Sequence, residues 1–353
     1  MNRVVVHASR IFRFPAPGAS RTVAAAAAVA VFLAVGSVSS VSAQMAPSPL
    51  FLFGGAGTGA GQFFEPVGVT VVGGVLYVAD SGNDRIQVFN LDGNYQSQWG
   101  GSGTGAGAFS FPQDVAVDAV GNIYVADSFN DRIQKFDAAH ANVKAWGSTG
   151  SANGQFNLPS RLAVDAEGNL YVTDTLNHRI QKFDADGNFL AAWGSQGTGD
   201  ENFDQPCGLV IDSNGNIYVS EIVNNRVQKF DSSMSYLRQW GATGTGNGQF
   251  RTPGDLAVDG DNNVFVTDAD NNRVQMFDQD GVYLTKWGVF GTGTSVGQMN
   301  YPTGVAVAGN GRIFVADTNN DRAQAFQGSV VPVLPVTWGR VKTLFLPQTP
   351  TGP

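Results

Sequence analysis

Residues 161–194 read RLAVD AEGN LYVT DTLNH RIQKF DADG NFLAAW G, and this stretch decides the fold. Its apolar residues alternate with polar ones over short runs, a period of two that belongs to β-strands rather than to helices. Turn residues such as Asp186-Gly187 divide the runs, since glycine supplies the positive φ that tight hairpins need. We therefore predict four antiparallel strands at 161–165, 170–173, 179–183 and 188–193.

The unit recurs six times along the chain. Every tryptophan is followed by glycine and holds the same place in its unit: Trp99, Trp146, Trp193, Trp240, Trp287 and Trp338. The spacing is 47 residues up to Trp287 and 51 for the last step. A second ladder follows nearly the same spacing: Arg85, Arg132, Arg179, Arg226, Arg273 and Arg322. Repeats of this length indicate one small unit stacked on copies of itself.

These units predict an all-β protein, a six-bladed β-propeller of four-stranded antiparallel blades. A four-stranded unit cannot bury both faces alone, whereas a closed ring buries them and protects the strand edges. We expect the propeller to fill 44–339, with blades at about 53–100, 101–147, 148–194, 195–241, 242–288 and 289–339. Two segments compete for the outermost strand of the sixth blade, at 50–54 and 333–338. We favour the first, because Pro332 and Pro335 remove backbone donors around the second.

The repeat motifs resemble a known family. They read Gly-Asn-Ile-Tyr-Val-Ala-Asp at 121–127, Asn-Asp-Arg-Ile-Gln-Lys-Phe-Asp at 130–137, and Trp-Gly at the end of each unit. These motifs resemble NHL repeats over nearly the whole chain after the leader. The resemblance implies a propeller that commonly serves as a recognition module, including the extracellular sensor domains of bacterial receptor kinases. It does not by itself assign a function, because one fold carries many different sites.

The first 43 residues are predicted to be a signal peptide. They hold four arginines and no acid, then an apolar run at 23–35, then the small residues Val41-Ser42-Ala43 before Gln44. We expect a protein secreted to the periplasm or the cell exterior, with no membrane span in the mature chain. An uncleaved anchor stays open as an alternative, although 13 apolar residues fall short of the roughly 20 that span a bilayer. The role of the C-terminal tail, 340–353, is left open.

Composition excludes several classes of protein. Without the leader, 17 basic residues face 29 acidic ones, and no cluster of lysine and arginine is present, so nucleic acid is not expected as a partner. The single cysteine, Cys207, rules out an intramolecular disulfide framework and a Cys/His zinc cluster. We expect Cys207 to be buried as a small apolar residue.

An acid five residues before each repeat arginine also recurs in all six units: Asp80, Asp127, Asp174, Glu221, Asp268 and Asp317. A group present in every blade is expected to hold a loop in place rather than to catalyse. Positions that depart from the repeat are better candidates for binding.

Two sets of residues that differ from the repeat therefore form the predicted binding site. Bulky apolar residues fall on the loops of consecutive blades, at Phe129, Leu176 and Val223, with Ile222 beside them. Charged residues stand second after the repeat proline, where we expect the mouth of the central channel: Asp114, Arg161 and Asp255. An apolar patch with a few convergent polar groups is the usual form of a binding site.

We expect a binding scaffold for a protein, peptide or glycan, acting as a monomer without a cofactor. The alternative is a metal-dependent propeller enzyme of the amidating-lyase or lactonase kind. The family resemblance raises the lyase, whose zinc lies on three histidines, but this chain has His7, His140 and His178, and His7 leaves with the leader. Asp184 to Asn188 and Asp259 to Asn263 resemble pieces of a calcium loop, yet both lack the downstream glutamate. We therefore expect bound calcium or zinc only if the protein is the alternative, a metal-dependent enzyme.

Overall fold

The computed structural model of the chain describes residues 45–328. The predicted signal, the competing strand at 333–338 and the C-terminal tail lie outside this range. No helix within 45–328 has the length and apolar character needed to cross a membrane.

The described residues form six four-stranded antiparallel sheets, numbered as blades one to six. Blades one and two comprise β2 (Pro66–Val72), β3 (Val75–Asp80), β4 (Arg85–Asn90), β5 (Tyr95–Gly100), β6 (Pro112–Val117), β7 (Ile123–Asp127), β8 (Arg132–Phe136) and β9 (Asn142–Trp146). Blades three and four comprise β10 (Pro159–Val164), β11 (Leu170–Asp174), β12 (Arg179–Phe183), β13 (Phe189–Trp193), β14 (Pro206–Ile211), β15 (Ile217–Glu221), β16 (Arg226–Phe230) and β17 (Tyr236–Trp240). The fold is thus the six-bladed propeller that the repeat predicts.

Blade five comprises β18 (Pro253–Val258), β19 (Val264–Asp268), β20 (Arg273–Phe277) and β21 (Tyr283–Trp287). The short parallel pair β22 (Val289–Phe290) and β23 (Gln298–Met299) connects it to blade six. Blade six comprises β24 (Pro302–Val307), β25 (Arg312–Asp317), β26 (Arg322–Gln327) and, as its outermost strand, β1 (Ser48–Gly54).

Because neighbouring strands in a blade run in opposite directions, successive connections lie at opposite ends of the ring. The turns between first and second strands and between third and fourth strands share one end, here called the hairpin end. The loops between second and third strands share the other end with the glycine-rich connectors between blades, here called the loop end. Five of these loops contain a single 3₁₀ turn: Ser81–Asn83, Ser128–Asn130, Thr175–Asn177, Ala269–Asn271 and Thr318–Asn320.

The ring is closed by the N-terminal strand. Strand β1 pairs antiparallel with β26, from Ser48 opposite Gln327 to Gly54 opposite Arg322. Phe53 takes the place that tryptophan holds in the other blades, and its ring centroid lies 5.2 Å from that of Phe89 in blade one. The closing strand favoured from the sequence is therefore confirmed.

Aromatic packing explains the invariant Trp-Gly pair. In blades one to five a fully buried connector phenylalanine packs on the phenylalanine of the third strand, as Phe109 does on Phe136 with ring centroids 5.7 Å apart. Gly100 has a φ of 103°, and a Cβ there would lie 2.5 Å from the Phe109 ring. Both the left-handed backbone and this close approach require glycine after the tryptophan.

Each recurring acid is the centre of a buried hydrogen-bond network. In blade two the Asp127 carboxylate accepts bonds from Arg132 Nε at 2.6 Å, Asn130 Nδ2 at 2.9 Å and Gln134 Nε2 at 3.0 Å. The Arg132 Nη atoms donate to the connector carbonyls of Thr104, Gly105 and Ala108. The same set of residues serves the other blades, with Glu221 replacing aspartate in blade four. The structural role predicted for these acids is confirmed.

At every seam between blades, a side chain of one blade accepts a hydrogen bond from the backbone of the next, and this bond is here called the latch. The residue after each second-to-third-strand turn adopts a left-handed conformation, and its side chain accepts a hydrogen bond from a backbone N–H of the next blade. The donor N–H of Phe111 lies 2.8 Å from Asp84 Oδ1, and at the closing seam the N–H of Glu65 lies 2.8 Å from Asp321 Oδ1. The remaining acceptors are Asp131, His178, Asn225 and Asn272.

Phe53→Ala should lower the free energy of unfolding by about 2 kcal/mol, because it removes a half-buried ring from the closing seam. Leu50→Ala on the same strand is the control, and since Leu50 is exposed we expect a loss of about 0.5 kcal/mol or less. Urea unfolding followed by tryptophan fluorescence measures both. Equal losses in the two variants would show that Phe53 does not secure the closure.

Candidate functional site

Three large apolar side chains stand exposed on consecutive blades at the loop end. Phe129, Leu176 and Val223, here called the apolar patch, are 43%, 40% and 42% exposed. The backbone N–H of each residue donates a hydrogen bond to a carbonyl oxygen of the connector that leads into its own blade. For Phe129 the acceptor is Ser110 O, at 3.0 Å. The Phe129 ring stacks on that of Phe111, with centroids 4.8 Å apart. The three apolar groups are thus held outward by a fixed backbone.

Ile222 differs from the sequence-based expectation, because it is buried. In blades one, two, three and six the equivalent residue is serine or threonine, whose hydroxyl donates to the proline carbonyl of the next blade, as Ser128 does to Pro159. Ile222 takes this inward position, and together with Cys207 and Arg161 it lines a small recess of about 30 Å³ in the channel. It is therefore not part of the apolar patch.

Asp114, Arg161 and Asp255 do come together, as the channel cluster, but they are buried rather than exposed at the channel mouth. Arg161 is 1% exposed and extends across the channel, with Nε 3.2 Å from Asp255 Oδ1. Its Nη1 donates to Gln113 O and its Nη2 to Thr303 O, both at 3.3 Å. The side chain of blade three thus contacts blades two, five and six. This explains why these charges are not available to a ligand at the surface.

Both aspartates also bridge neighbouring inner strands. Asp114 Oδ2 accepts the N–H of Leu162 at 2.9 Å, and Asp255 Oδ2 accepts the N–H of Val305 at 3.3 Å. Towards the hairpin end, the channel contains an open space of about 230 Å³, which is lined by the inner strands and on one side by Asp114 and Asp255. The cluster therefore separates this cavity from the recess beside Ile222.

Burial dominates the electrostatics of the channel cluster. It raises the pKa of Asp114 to about 7, with Arg161 opposing the rise and Asp255 adding to it. Burial also raises the pKa of Asp255, although Arg161 opposes it. For Arg161, burial disfavours the charge, but Asp255 and Asp114 outweigh it and raise the pKa. One buried guanidinium thus interacts electrostatically with two buried carboxylates.

Cys207 is buried beside this cluster, as expected from the sequence, and burial raises the pKa of its thiol. Phe111, whose ring stacks on that of Phe129, was not among the residues predicted for the site. The sequence does contain a signal for it. The residue before each repeat proline is apolar or aromatic in only three blades, at Phe111, Leu158 and Tyr301. The carbonyls that hold Arg161 belong to the backbone, so no residue type in the sequence reveals them.

Comparison with family models identifies the repeats. The NHL repeat model matches residues 156–183, 203–230, 250–277 and 299–326, and a model described as a 6-bladed beta-propeller matches 63–144. The chain is a six-bladed β-propeller that carries NHL repeats. A search of curated proteins finds no match.

Solved structures resemble this NHL propeller in fold alone. A streptogramin B lyase is 13% identical, with a TM-score of 0.57 over 79% of this chain and 97% of the lyase. Virginiamycin B lyase from Staphylococcus aureus is 12% identical, with a TM-score of 0.54 over 75% and 95%. A gluconolactonase from Xanthomonas campestris is 15% identical, with a TM-score of 0.57 over 82% and 99%.

The two described histidines of the NHL propeller lie at opposite ends of the ring. His140 belongs to a third-to-fourth-strand turn at the hairpin end and stacks on Trp99 with centroids 4.0 Å apart. His178 is a latch residue at the loop end, where its Nδ1 accepts the N–H of Gln205 at 3.2 Å. Within 45–328 no group of three or more His, Cys, Asp or Glu is arranged to hold a metal ion.

The two calcium-like sequences form hairpin turns in the NHL propeller. Asp184 Oδ1 accepts the N–H groups of Asp186 and Asn188, each at 2.9 Å, and Asp259 binds its own turn in the same way. These carboxylates are engaged by the turn that the repeat requires.

The stability of the NHL propeller should depend on the proton held by Asp114. The folded-state pKa of about 7 lies above the unfolded value of 3.8, so the stabilisation contributed by this group is fully present below about pH 4 and is lost as the pH rises through about 7. The slope is at most about 1.4 kcal/mol per pH unit for one proton. Asp114→Asn should flatten this fall in urea titrations between pH 4 and 8. Glu167→Gln, on an exposed turn, is the control, and an unchanged slope in Asp114→Asn would contradict the assignment.

Proposed function

We propose that this NHL propeller is a secreted, extracytoplasmic binding scaffold that holds a protein or peptide ligand on its apolar patch. The observation that carries the proposal is the exposure of Phe129, Leu176 and Val223 on three consecutive blades at one end of the ring. Large apolar groups that are exposed on neighbouring loops of one end of a protein are typical of recognition sites.

Rigidity of the loops supports the proposal. The loop bearing Leu176 begins at Asp174, whose carboxylate is bound by Asn177 and Arg179, and it ends at the His178 latch to blade four. A surface fixed before binding loses little conformational entropy when a ligand arrives. The scaffold thus presents its apolar groups without needing to rearrange.

The chemistry of the patch favours a protein or peptide over a glycan. Two of its three members, Leu176 and Val223, are aliphatic and offer apolar area without a hydrogen-bonding group. Apolar side chains of an extended peptide match such a surface, whereas a sugar presents hydroxyl groups that need polar partners. We expect the ligand to bring apolar side chains to the loops of blades two to four.

Peptide display against the mature chain tests the proposal. Selected peptides should lose at least about tenfold in affinity for Phe129→Ser/Leu176→Ser, because removing two anchor side chains costs on the order of 1.4 kcal/mol or more. The matched control is Leu190→Ser/Leu237→Ser, which removes two similarly exposed leucines from the outer strands β13 and β17. Peptides that bind all three proteins equally, or that also lose affinity for the control, would contradict a site on the patch.

The alternative is a metal-dependent enzyme of the lyase or lactonase kind, since structures named as lyases and a gluconolactonase share this fold. At identities of 12–15% this likeness extends to the fold alone. The described histidines do not converge, and Arg161 is buried across the channel between the carboxylates that would be the nearest ligands. A guanidinium in that position disfavours a cation there. The scaffold is therefore the better-supported function.

Metal content separates the two functions. The scaffold predicts that the mature chain, purified without chelator, carries no stoichiometric zinc or calcium, and that chelator leaves its melting temperature unchanged. Elemental analysis and thermal unfolding with and without chelator measure both. A stoichiometric metal lost on chelation, together with a lower melting temperature, would instead favour the enzyme, because a bound metal stabilises the folded state.

A further inference from the structure

Trp193, on the outer strand of blade three, is turned relative to the same residue of other blades. In blades one, two, four and five the indole meets the aromatic ring of the second strand edge to face, with planes 72–83° apart: Tyr77–Trp99, Tyr124–Trp146, Tyr218–Trp240 and Phe265–Trp287. The Trp193 indole instead stacks on Tyr171, with the two planes 13° apart. The seam between blades three and four therefore differs from these four in its aromatic packing.

Met234, in the third-to-fourth-strand turn of blade four, accounts for the change. The equivalent residues of blades three and five are Gly187 and Gly281, and a Cβ on either would lie 2.6 Å from the tryptophan ring of the preceding blade. In blade two a side chain is tolerated, because the flat imidazole of His140 stacks on Trp99 with centroids 4.0 Å apart. Methionine has no flat ring that could stack in this way, so the facing indole turns aside.

Beside the turned indole lies a cavity of about 420 Å³, here called the rim cavity. Its apolar wall is formed by Trp193, Phe203, Phe230 and Met234, and its polar wall by Ser195, Asp200, Glu201 and Asn202. The volume lies within the range of about 300–1,000 Å³ that is usual for small-molecule sites. None of these residues belongs to an inner strand or to the apolar patch. The rim cavity is therefore separate from the channel and from the proposed ligand surface.

Glu201 departs from the repeat at a position that requires glycine in every other connector: Gly61, Gly107, Gly154, Gly248 and Gly297. Its backbone N–H donates to Gln228 Oε1 at 3.1 Å, the same bond that the glycines make to the equivalent glutamines. Glu201 has a φ of 64°, a left-handed conformation that favours glycine. A charged side chain is thus placed beside the cavity in spite of its backbone conformation.

Asp200 and Glu201 have no cationic partner in the described part of the chain. Both side chains are exposed, and neither forms an ion pair with a Lys, Arg or His of residues 45–328. Arg226, which binds carbonyls of the same connector, is already paired with Glu221. Two kinds of group that attract an organic cation therefore meet at the cavity, because aromatic rings, tryptophan above all, attract a cation through the ring quadrupole.

We propose that the rim cavity binds a small organic cation that carries a quaternary or methylated ammonium group. The methyl groups of such a cation are apolar and match the wall of Trp193, Phe230 and Met234, while Asp200 and Glu201 match its charge. A metal ion would need oxygen ligands in place of the aromatic wall. This site goes beyond the scaffold function and shares no residue with the apolar patch, so either proposal can fail without the other.

Titration of the mature chain with choline tests the proposal. Choline should bind saturably, with a dissociation constant of about 1 mM or lower. Its neutral carbon isostere, neohexanol, should bind at least about tenfold more weakly, because it lacks the charge. Among the indole N–H signals in NMR spectra, choline should shift that of Trp193 most, and the signal lost in Trp193→Leu identifies it.

Asp200→Asn/Glu201→Gln should weaken choline binding at least about fivefold, because it removes the charge and keeps the shape of both side chains. Its melting temperature should stay close to that of the wild type, since both residues are exposed. The matched control is Glu167→Gln/Asp186→Asn, which removes the same charge from two exposed turns of blade three. The control should bind choline as the wild type does.

A second pair of variants tests the aromatic wall. Trp193→Leu should weaken choline binding at least about fivefold, because leucine has no ring to attract the cation. Trp240→Leu removes a tryptophan from the next seam, where the indole packs edge to face, and should leave choline binding unchanged.

Three results would overturn the proposal. One is the absence of saturable choline binding. Another is binding of neohexanol as tight as that of choline, which would show a purely apolar cavity. The third is the same affinity for choline in Asp200→Asn/Glu201→Gln and in Glu167→Gln/Asp186→Asn, which would show that the two connector acids do not hold the cation.

Discussion

The buried carboxylate at the end of each second strand is the interaction on which the rest of the propeller depends. An isolated charge in such a place costs several kcal/mol, and it is tolerated only when paired and fully hydrogen-bonded. Asp127 meets this condition with donors from Arg132, Asn130 and Gln134, and a fourth from the connector N–H of Ser110. Because Arg132 also binds three connector carbonyls, strand, loop and connector hold one another in place. The loop tip is then free to carry any side chain, which is how the apolar patch arises without loss of structure.

A second constraint acts at the channel, where the innermost strands approach closely. The third residues of these strands are Gly68, Asp114, Arg161, Gly208, Asp255 and Gly304. A Cβ on any of the three glycines would lie 2.3–2.4 Å from a carbonyl oxygen of the next blade. Only half of the blades can therefore place a side chain here. The three side chains that fit form the channel cluster, so glycine at one blade makes room for the charges of its neighbours.

Most of the fold is readable from the sequence because the repeat constrains each blade in the same way. The Trp-Gly and arginine ladders predict the blades, and the prolines at 332 and 335 point to closure by β1. The outward position of Phe129, Leu176 and Val223 follows from the loop in which they stand. Ile222 and Arg161 could not be placed correctly, because their positions depend on contacts between blades. Ile222 takes the site of a hydroxyl that binds the next blade, and Arg161 reaches backbone carbonyls of blades two and six.

Closure by β1 has a consequence for how the chain is made. Among the strands within 45–328, the first to leave the ribosome pairs with the last, and the latch of the closing seam joins Glu65 to Asp321, 256 positions apart. Until β26 exists, β1 has no partner, and its Leu-Phe-Leu-Phe edge is open to any other strand. Contacts of such separation form slowly, since the long loop must close before they stabilise anything. The nascent chain therefore exposes an unpaired apolar strand edge until β26 has been synthesised and the ring can close.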